Sequence, residues 1–327
     1  MTGLGDRIAA IPPVTRFLSI CTFLVCLSCS LELFSVEDFA ISYGLVHTLL
    51  SEAWNSEGGY LAKLKTWGFV FLQSYRLFTS FFIPLGFLMR NGFMCLAEMY
   101  FLYNFSQHLE SKTGKFKGNF PDYVWFILVC GFFINLLSLI FQRLGLVSFS
   151  CHHSMLNGCI TYLWSRSYKD LQIQYQGLFL LKAYYVPMMS LMAHMVSGRE
   201  AFLCELIGII AGYLYQCIQS DTLPFYNLVP GIYGSFDPSY NKGRKVGFEK
   251  SAEESSFPDA IFDLGYLKAP KWLYSIVGYP YDTSERLTAF KKQVRTPRVA
   301  SAGRRDEARA TTTGFNPFQG KGHRLGS

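Results

Sequence analysis

The feature that most constrains this chain is a series of six long, continuous apolar stretches in its first 220 residues. They run over Phe17–Leu31, Leu77–Tyr103, Tyr123–Phe141, about Val147–Trp164, Leu178–Val196 and Phe202–Ile218. A helix that crosses a bilayer needs about 20 apolar residues, within a range of about 17–25. Strands of a transmembrane barrel alternate apolar and polar residues instead. We therefore predict an all-α integral membrane protein with six transmembrane helices.

The distribution of charge divides the chain into three regions. Residues 1–220 hold 26 charged side chains, whereas residues 221–327 hold 27 in half the length. From Lys291 onward the chain is rich in Arg, Thr and Ala and has almost no large aliphatic residues, which is typical of disorder. We predict a membrane domain over 1–220, a cytosolic membrane-proximal segment over 221–290 and a largely disordered cytosolic tail over 291–327.

Several of the apolar stretches are short or carry polar residues. The first and the sixth are shorter than a usual span, and the sixth contains Glu205. The fourth is interrupted by a polar group made of Cys151, His152, His153, Ser154 and Asn157. Such groups are tolerated at membrane depth only where neighbouring helices or a wet cavity cover them. We therefore expect the fourth stretch to be enclosed by the others.

Loop composition gives the expected orientation. Six spans place both termini on one side, and a small excess of Lys and Arg in the loops on the side of the amino terminus predicts that this side is cytosolic. Residues 32–76, between the first two spans, form an unusually long loop that contains Trp54 and Trp67. A loop of this length and composition predicts helices that lie in the opposite membrane interface.

The most specific motif lies at the carboxyl end. Phe318–Gly326 resembles the box F-x-G-x-G-x-x-L-G with which adaptor proteins bind the ubiquitin-selective AAA ATPase, valosin-containing protein. The residues that this resemblance assigns to the ATPase are Phe318, Gly320, Gly322, Arg324, Leu325 and Gly326. Physically, Phe318 and Leu325 suit a peptide that fills pockets when it orders on a partner. Without the resemblance, a low-complexity terminus explains the same residues.

The body of the chain resembles the derlin family. The similarity covers about residues 8–235, and the segments that carry it are Ile11–Arg16, Tyr75–Phe82, Met99–Tyr103 with Leu109–Glu110, and Gly208–Tyr215. It implies a six-span rhomboid-like fold in the endoplasmic reticulum membrane and a role in retrotranslocation of misfolded proteins for degradation. It also implies misfolded clients and a membrane ubiquitin ligase complex as partners. Tyr75, before Arg76, stands where the family usually has Trp, and it keeps an amphipathic ring.

Rhomboid proteolysis needs a serine in a G-x-S-G turn that opens the fourth span and a histidine on the sixth. Residues 149–154 contain no G-x-S-G, and Glu205 occupies the position that the resemblance gives to the histidine. Ser154 and His153 are neighbours, which point about 100° apart on a helix and make a poor dyad. We therefore expect a pseudoprotease with no catalytic residue. The alternative is an active intramembrane serine protease.

Two further motifs concern packing and anchoring. Gly208 and Gly212 form a G-x-x-x-G strip that lets another helix, expected to be the fourth span, approach closely. Arg76 either anchors the long loop by pairing with carbonyls or a phosphate, or is an interfacial arginine that reaches for water.

We expect no metal, because three consecutive helical positions, Cys151–His153, cannot all face one ion. We expect no other cofactor, and no nucleic-acid partner, because the basic tail has no reader module.

Together these features predict a protein that thins the bilayer with short spans and recruits the ATPase through its tail. A span shorter than the hydrocarbon core thins the membrane around it. That would lower the barrier for a polar client segment, while the ATPase pulls. A passive membrane anchor for the ATPase is the second alternative, and a transporter is a third, although the halves show no matching repeats.

Overall fold

The computed structural model describes residues 10–55, 60–148, 151–175, 179–220 and 266–281, which are mostly helical. All of them belong to one compact unit, Met1–Lys291, and the second unit, Lys292–Ser327, lies outside the described residues. The predicted disordered tail and its box, Phe318–Gly326, therefore have no structural description.

The amino-terminal part consists of one long helix and a helical loop. Helix α1 covers Pro13–Ser30, and the loop contains α2 (Val36–Phe39), α3 (Tyr43–Asn55) and α4 (Tyr60–Gln73). The prediction that residues 32–76 form helices is confirmed. The side chains of Trp54 and Phe71 are 79% and 80% exposed. Exposed aromatic side chains of this kind suit a membrane interface.

The second apolar stretch is not the single helix that its length predicted. It contains α5 (Arg76–Thr79), a 3₁₀ turn (Ser80–Phe82), α6 (Leu85–Leu88) and then α7 (Gly92–Glu110). Pro84 lies just before α6 and has no N–H to continue a helix. Asn91 then starts α7, because its side-chain oxygen accepts a hydrogen bond of 3.1 Å from Met94 N–H.

The carboxyl-terminal half of the body contains four helices and a hairpin. Helix α8 covers Phe120–Arg143 and α9 covers His153–Ser167; they are followed by strands β1 (Gln172–Tyr175) and β2 (Phe179–Lys182), a 3₁₀ turn (Ala183–Tyr185), α10 (Val186–Ser197) and α11 (Arg199–Ser220). The strands are antiparallel, with Gln172 opposite Lys182. The fifth helix was predicted from Leu178 but begins at Val186, because the residues before it pair as a hairpin.

The prediction that the sixth span is short is also wrong. Helix α11 has 22 residues, since polar residues at both ends, such as Glu200 and Gln219, continue the helix beyond its apolar centre. Of the described helices, α1, α8 and the Arg199–Gln219 part of α11 are long and apolar enough to cross a membrane. The prediction of a helical membrane protein is thus confirmed in outline, and the number of six spans stays a prediction.

Helix α9 lies at the centre of the helical body. It packs against α7, α8, α10 and α11, and every residue from His153 to Ser165 is buried. This enclosure explains how a helix with so many polar residues fits into an apolar protein, and it agrees with the expectation for the fourth stretch.

A buried polar network joins α1 to the end of α7. The Glu110 carboxylate accepts hydrogen bonds from the N–H groups of Val14 (2.9 Å) and Thr15 (2.8 Å) and from the Thr15 hydroxyl (2.7 Å). The Ser106 hydroxyl links Thr15 at 2.8 Å to the Tyr123 hydroxyl at 2.7 Å. Because the first N–H groups of a helix have no partner within the helix, the carboxylate serves as the cap of α1.

A short helix from the predicted 221–290 segment docks on α8. This helix, α12, covers Lys271–Val277. The Asp122 carboxylate at the start of α8 accepts hydrogen bonds from Ala269 N–H (2.8 Å) and from the Tyr274 hydroxyl (2.7 Å). The described part of the segment is therefore held by a buried carboxyl group at the start of α8.

Candidate functional site

A cavity of about 250 Å³ lies between α7, α9 and α10. Part of its wall is apolar, as at Phe101 and Phe105, but it also holds the polar side chains of Glu98, Asn157, Ser190 and His194. Phe93 at its rim is 85% exposed, so the cavity reaches the surface of the protein between α7 and α10.

Glu98 is the acidic residue of this cavity. Its side chain comes from the middle of α7 and is 4% exposed. One carboxylate oxygen, Oε2, accepts a hydrogen bond of 2.9 Å from Leu85 N–H, while Oε1 has no hydrogen-bond partner in the described part of the chain. His153 Nδ1 lies 3.7 Å from Oε2, which is too far for a hydrogen bond.

Helix α9 contributes further polar atoms that lack partners. Both ring nitrogens of His153, the Ser154 hydroxyl and the Asn157 side-chain oxygen make no hydrogen bond with any residue that the structure describes. The Ser154 hydroxyl therefore makes no hydrogen bond to a general base among these residues, and it is not paired with its neighbour His153. Unpaired buried polar groups are rare and costly to a fold, so the Asn157 oxygen, which lies in the cavity wall, is a candidate for contact with a ligand.

The opposite wall of the cavity is organised around Ser190. Its hydroxyl donates a hydrogen bond of 2.7 Å to Glu205 Oε1, and its carbonyl lies 2.9 Å from His194 Nδ1. A carbonyl can only accept, so Nδ1 carries the proton. In a neutral imidazole the other nitrogen, Nε2, is then an acceptor. The Ser190 hydroxyl has likewise donated its proton, to Glu205. The Ser190 hydroxyl oxygen and His194 Nε2 therefore both offer acceptor lone pairs.

The two predicted glycines lie behind the cavity, where α11 crosses α9. A Cβ atom added to Gly208 would stand 2.0 Å from the Met155 carbonyl oxygen, and one on Gly212 would stand 3.1 Å from the Cys159 carbonyl oxygen. The predicted close approach of these helices is therefore present. It sets the position of the buried helix that carries Asn157.

Tyr75 and Arg76 lie elsewhere, at the base of the long loop. The Tyr75 hydroxyl donates to the Asp38 carbonyl at 2.8 Å. The Arg76 guanidinium donates to the carbonyls of Glu37 and, at 3.2 Å, Ala40. Of the two interpretations of Arg76, the structure has the one in which it anchors the loop through backbone carbonyls. The pair holds α2 in place.

His152, just before α9, and His153, the first residue of α9, have different surroundings, since His153 makes no hydrogen bond with any described residue. His152 Nδ1 lies 3.0 Å from the Ser80 hydroxyl and Nε2 lies 2.8 Å from the Ser138 hydroxyl, so both nitrogens are used. No group of three His, Cys, Asp or Glu residues suited to a metal is found within the described ranges.

Sequence reasoning missed Glu98, although a signal was present. The residue is ionisable and lies within the apolar stretch Leu77–Tyr103, and charges at membrane depth usually face a cavity or a partner. Of the residues that the sequence singled out, Gly208 and Gly212 lie behind the cavity and Tyr75 and Arg76 lie apart from it. The ATPase-binding residues lie outside the described residues.

Comparisons with known proteins identify the family. A model of the Der1-like family matches residues 62–237, which contain the helices that form the cavity. DER1-like family member protein 1 of Saccharomyces cerevisiae is 26% identical over 285 residues, covering 82% of this chain and 72% of the relative. Derlin-1 of Homo sapiens is 26% identical over 219 residues, covering 66% and 73%. The resemblance is thus confirmed, and the chain belongs to the Der1-like family.

Proposed function

We propose that this protein helps misfolded proteins leave the endoplasmic reticulum for degradation, as a six-span, rhomboid-like and catalytically inactive membrane protein. The observation that carries the proposal is the partly polar cavity between α7 and α10, which reaches the surface at Phe93. A polar segment in hydrocarbon has no hydrogen-bond partners and is costly to place there. The cavity supplies polar partners at the side of an otherwise apolar body.

The lengths of the helices support local thinning of the bilayer. Helix α10 has 12 residues, or about 18 Å at about 1.5 Å per residue, whereas the hydrocarbon core is about 30 Å thick. Met188, Met192 and Met195 on this helix are exposed, so a short apolar face is available to lipid. A mismatch of this kind is relieved by thinning the membrane, here beside the cavity rather than at the first and sixth spans.

The source of work in this proposal is the AAA ATPase of the valosin-containing protein type. The terminal box Phe318–Gly326 binds it, both termini are cytosolic, and a membrane ubiquitin ligase complex marks the client. Since the box lies outside the described residues, its support is the match at every defined position of the motif. A polar tail with two apolar anchors suits a peptide that orders on binding.

A pulldown with the full-length protein tests the partner. We expect the wild-type protein to retain the ATPase and the Phe318→Ala plus Leu325→Ala variant to lose it, because both anchors are removed. Phe315→Ala, an aromatic truncation in the same tail but outside the box, is the matched control and keeps binding. Equal retention by the double variant and the wild type would remove the box from the mechanism.

A chase experiment then tests the function. In cells that depend on this protein, we expect the half-life of a misfolded membrane client to lengthen when the double variant replaces the wild type. It should lengthen as well when the cavity is filled by Ala193→Trp, a substitution in the cavity wall that leaves the tail intact. If the cavity variant folds and binds the ATPase but client degradation is unchanged, the protein is a passive anchor instead.

A further inference from the structure

We propose that the cavity selects client segments that carry a lysine or arginine at membrane depth, with Glu98 as the residue that binds the cation. This inference rests on the proposed function, since it names the class of client that the same cavity accepts. It is carried by the juxtaposition of a buried, incompletely paired carboxylate with a set of acceptor atoms around one cavity.

The described part of the cavity wall contains an acidic side chain and no basic one that is permanently charged. Glu98 lies in the wall, and no lysine or arginine is among the described residues that line it. The adjacent histidine of the wall, His194, donates its Nδ1 proton to a carbonyl and needs no charge to do so. The described wall therefore has a carboxylate and no permanent cation to balance it.

The cavity wall offers hydrogen-bond acceptors that have no donor among the described residues. Glu98 Oε1 and the Asn157 side-chain oxygen have no donor in the described structure. The Ser190 hydroxyl has given its proton to Glu205, and His194 Nε2 is an acceptor when the ring is neutral. A ligand that complements this wall brings several N–H donors. An ammonium has three and a guanidinium has five, and neither accepts.

The transfer of a cationic side chain from lipid to the cavity lowers its free energy. A lysine or arginine in the middle of an apolar client helix is costly in hydrocarbon, so its transfer to a site with a carboxylate is favourable relative to lipid. Hydrogen bonds to charged groups are stronger than neutral ones. A client segment without a cation gains nothing from Glu98, and a segment with a central glutamate is repelled by it. The cavity thus discriminates by charge as well as by polarity.

Synthetic single-span peptides test this inference with the full-length protein in liposomes. The peptides share one apolar sequence, carry lysine, leucine or glutamate at the centre, and have a photoreactive leucine next to that position. We expect about tenfold more crosslinking for the lysine peptide than for the leucine peptide, as one charge-assisted hydrogen bond allows, and least for the glutamate peptide. The crosslinked sites should map to α7 and α10.

The variant Glu98→Gln keeps the size of the side chain and an oxygen for Leu85 N–H, and we expect it to abolish the preference for lysine. Glu52→Gln, which removes an exposed carboxylate on α3, is the matched control and keeps the preference. The wild-type comparison does not depend on how any variant folds. Equal crosslinking of the lysine and leucine peptides in the cavity would overturn the charge selection and leave the proposed function standing. Crosslinking of no peptide there would overturn both.

Discussion

Helix α7 carries two buried carboxylates, Glu98 and Glu110, and their hydrogen-bonded surroundings differ. At its carboxyl end Glu110 is 1% exposed and accepts three hydrogen bonds from Val14 and Thr15. In its middle Glu98 is 4% exposed, accepts one bond from Leu85 and leaves one oxygen without a described partner. The two residues have the same chemistry and nearly the same burial, but only one is satisfied.

The difference distinguishes a structural polar group from a functional one. Glu110 joins two helices in a network that needs nothing from outside, so its burial is offset within the fold. The cavity wall holds two buried oxygens without a described partner, Glu98 Oε1 and the Asn157 side-chain oxygen, and a fold gains no stability from such atoms. We infer that Glu110 holds the helices together, whereas Glu98 has an oxygen available to the proposed ligand.

The largest expected effect is at the satisfied end. Glu110→Ala leaves two buried N–H groups of α1 without an acceptor, so we expect the free energy of unfolding to fall by about 4 kcal/mol, at about 1–3 kcal/mol for each unsatisfied group. Unfolding in mixed micelles of increasing detergent strength measures it. Glu110→Gln, which keeps one acceptor oxygen, should lie between the alanine variant and the wild type. A loss below about 1 kcal/mol for the alanine variant would contradict the structural role.

The next effect concerns the helix pair behind the cavity. Gly208→Ala places a methyl group against the Met155 backbone, and we expect a loss of about 3 kcal/mol, at the upper end of the cost of overpacking. Gly212→Ala is the matched control, because its contact at 3.1 Å needs only a small shift and should cost about 1 kcal/mol. The same unfolding assay compares them. Equal losses would mean that the spacing of α9 and α11 is not set at Gly208.

The smallest effect on stability is expected at Glu98. Glu98→Gln keeps an acceptor oxygen for Leu85 N–H, the one described hydrogen bond of this side chain, so the free energy of unfolding should change by less than about 1 kcal/mol. Measuring the unfolding of Glu98→Gln and Glu110→Gln in the same micelles makes the comparison direct. A loss at Glu98 as large as the loss at Glu110 would mean that both carboxylates are structural.

The sequence predicted the parts of this fold that depend on local composition. The long apolar runs gave α1, α8 and α11, and the spacing of Gly208 and Gly212 correctly indicated a close helix pair. The break of the second stretch at Pro84 was visible in the chain but was outweighed by its hydropathy. The surroundings of Glu98 were not predictable, because they depend on α9 and α10, which come from distant parts of the chain and meet only in the folded protein.

The most direct test of the account asks where a client contacts this protein during degradation. A photoreactive amino acid is placed at Phe93, at the rim of the cavity, and separately at Phe132, an exposed aromatic on α8 that lies outside the cavity wall. With a misfolded membrane client in cells whose ATPase is inhibited, we predict strong crosslinking from position 93 and little from position 132. Equal crosslinking from both positions, or crosslinking from 132 alone, would contradict the assignment of the cavity as the client site.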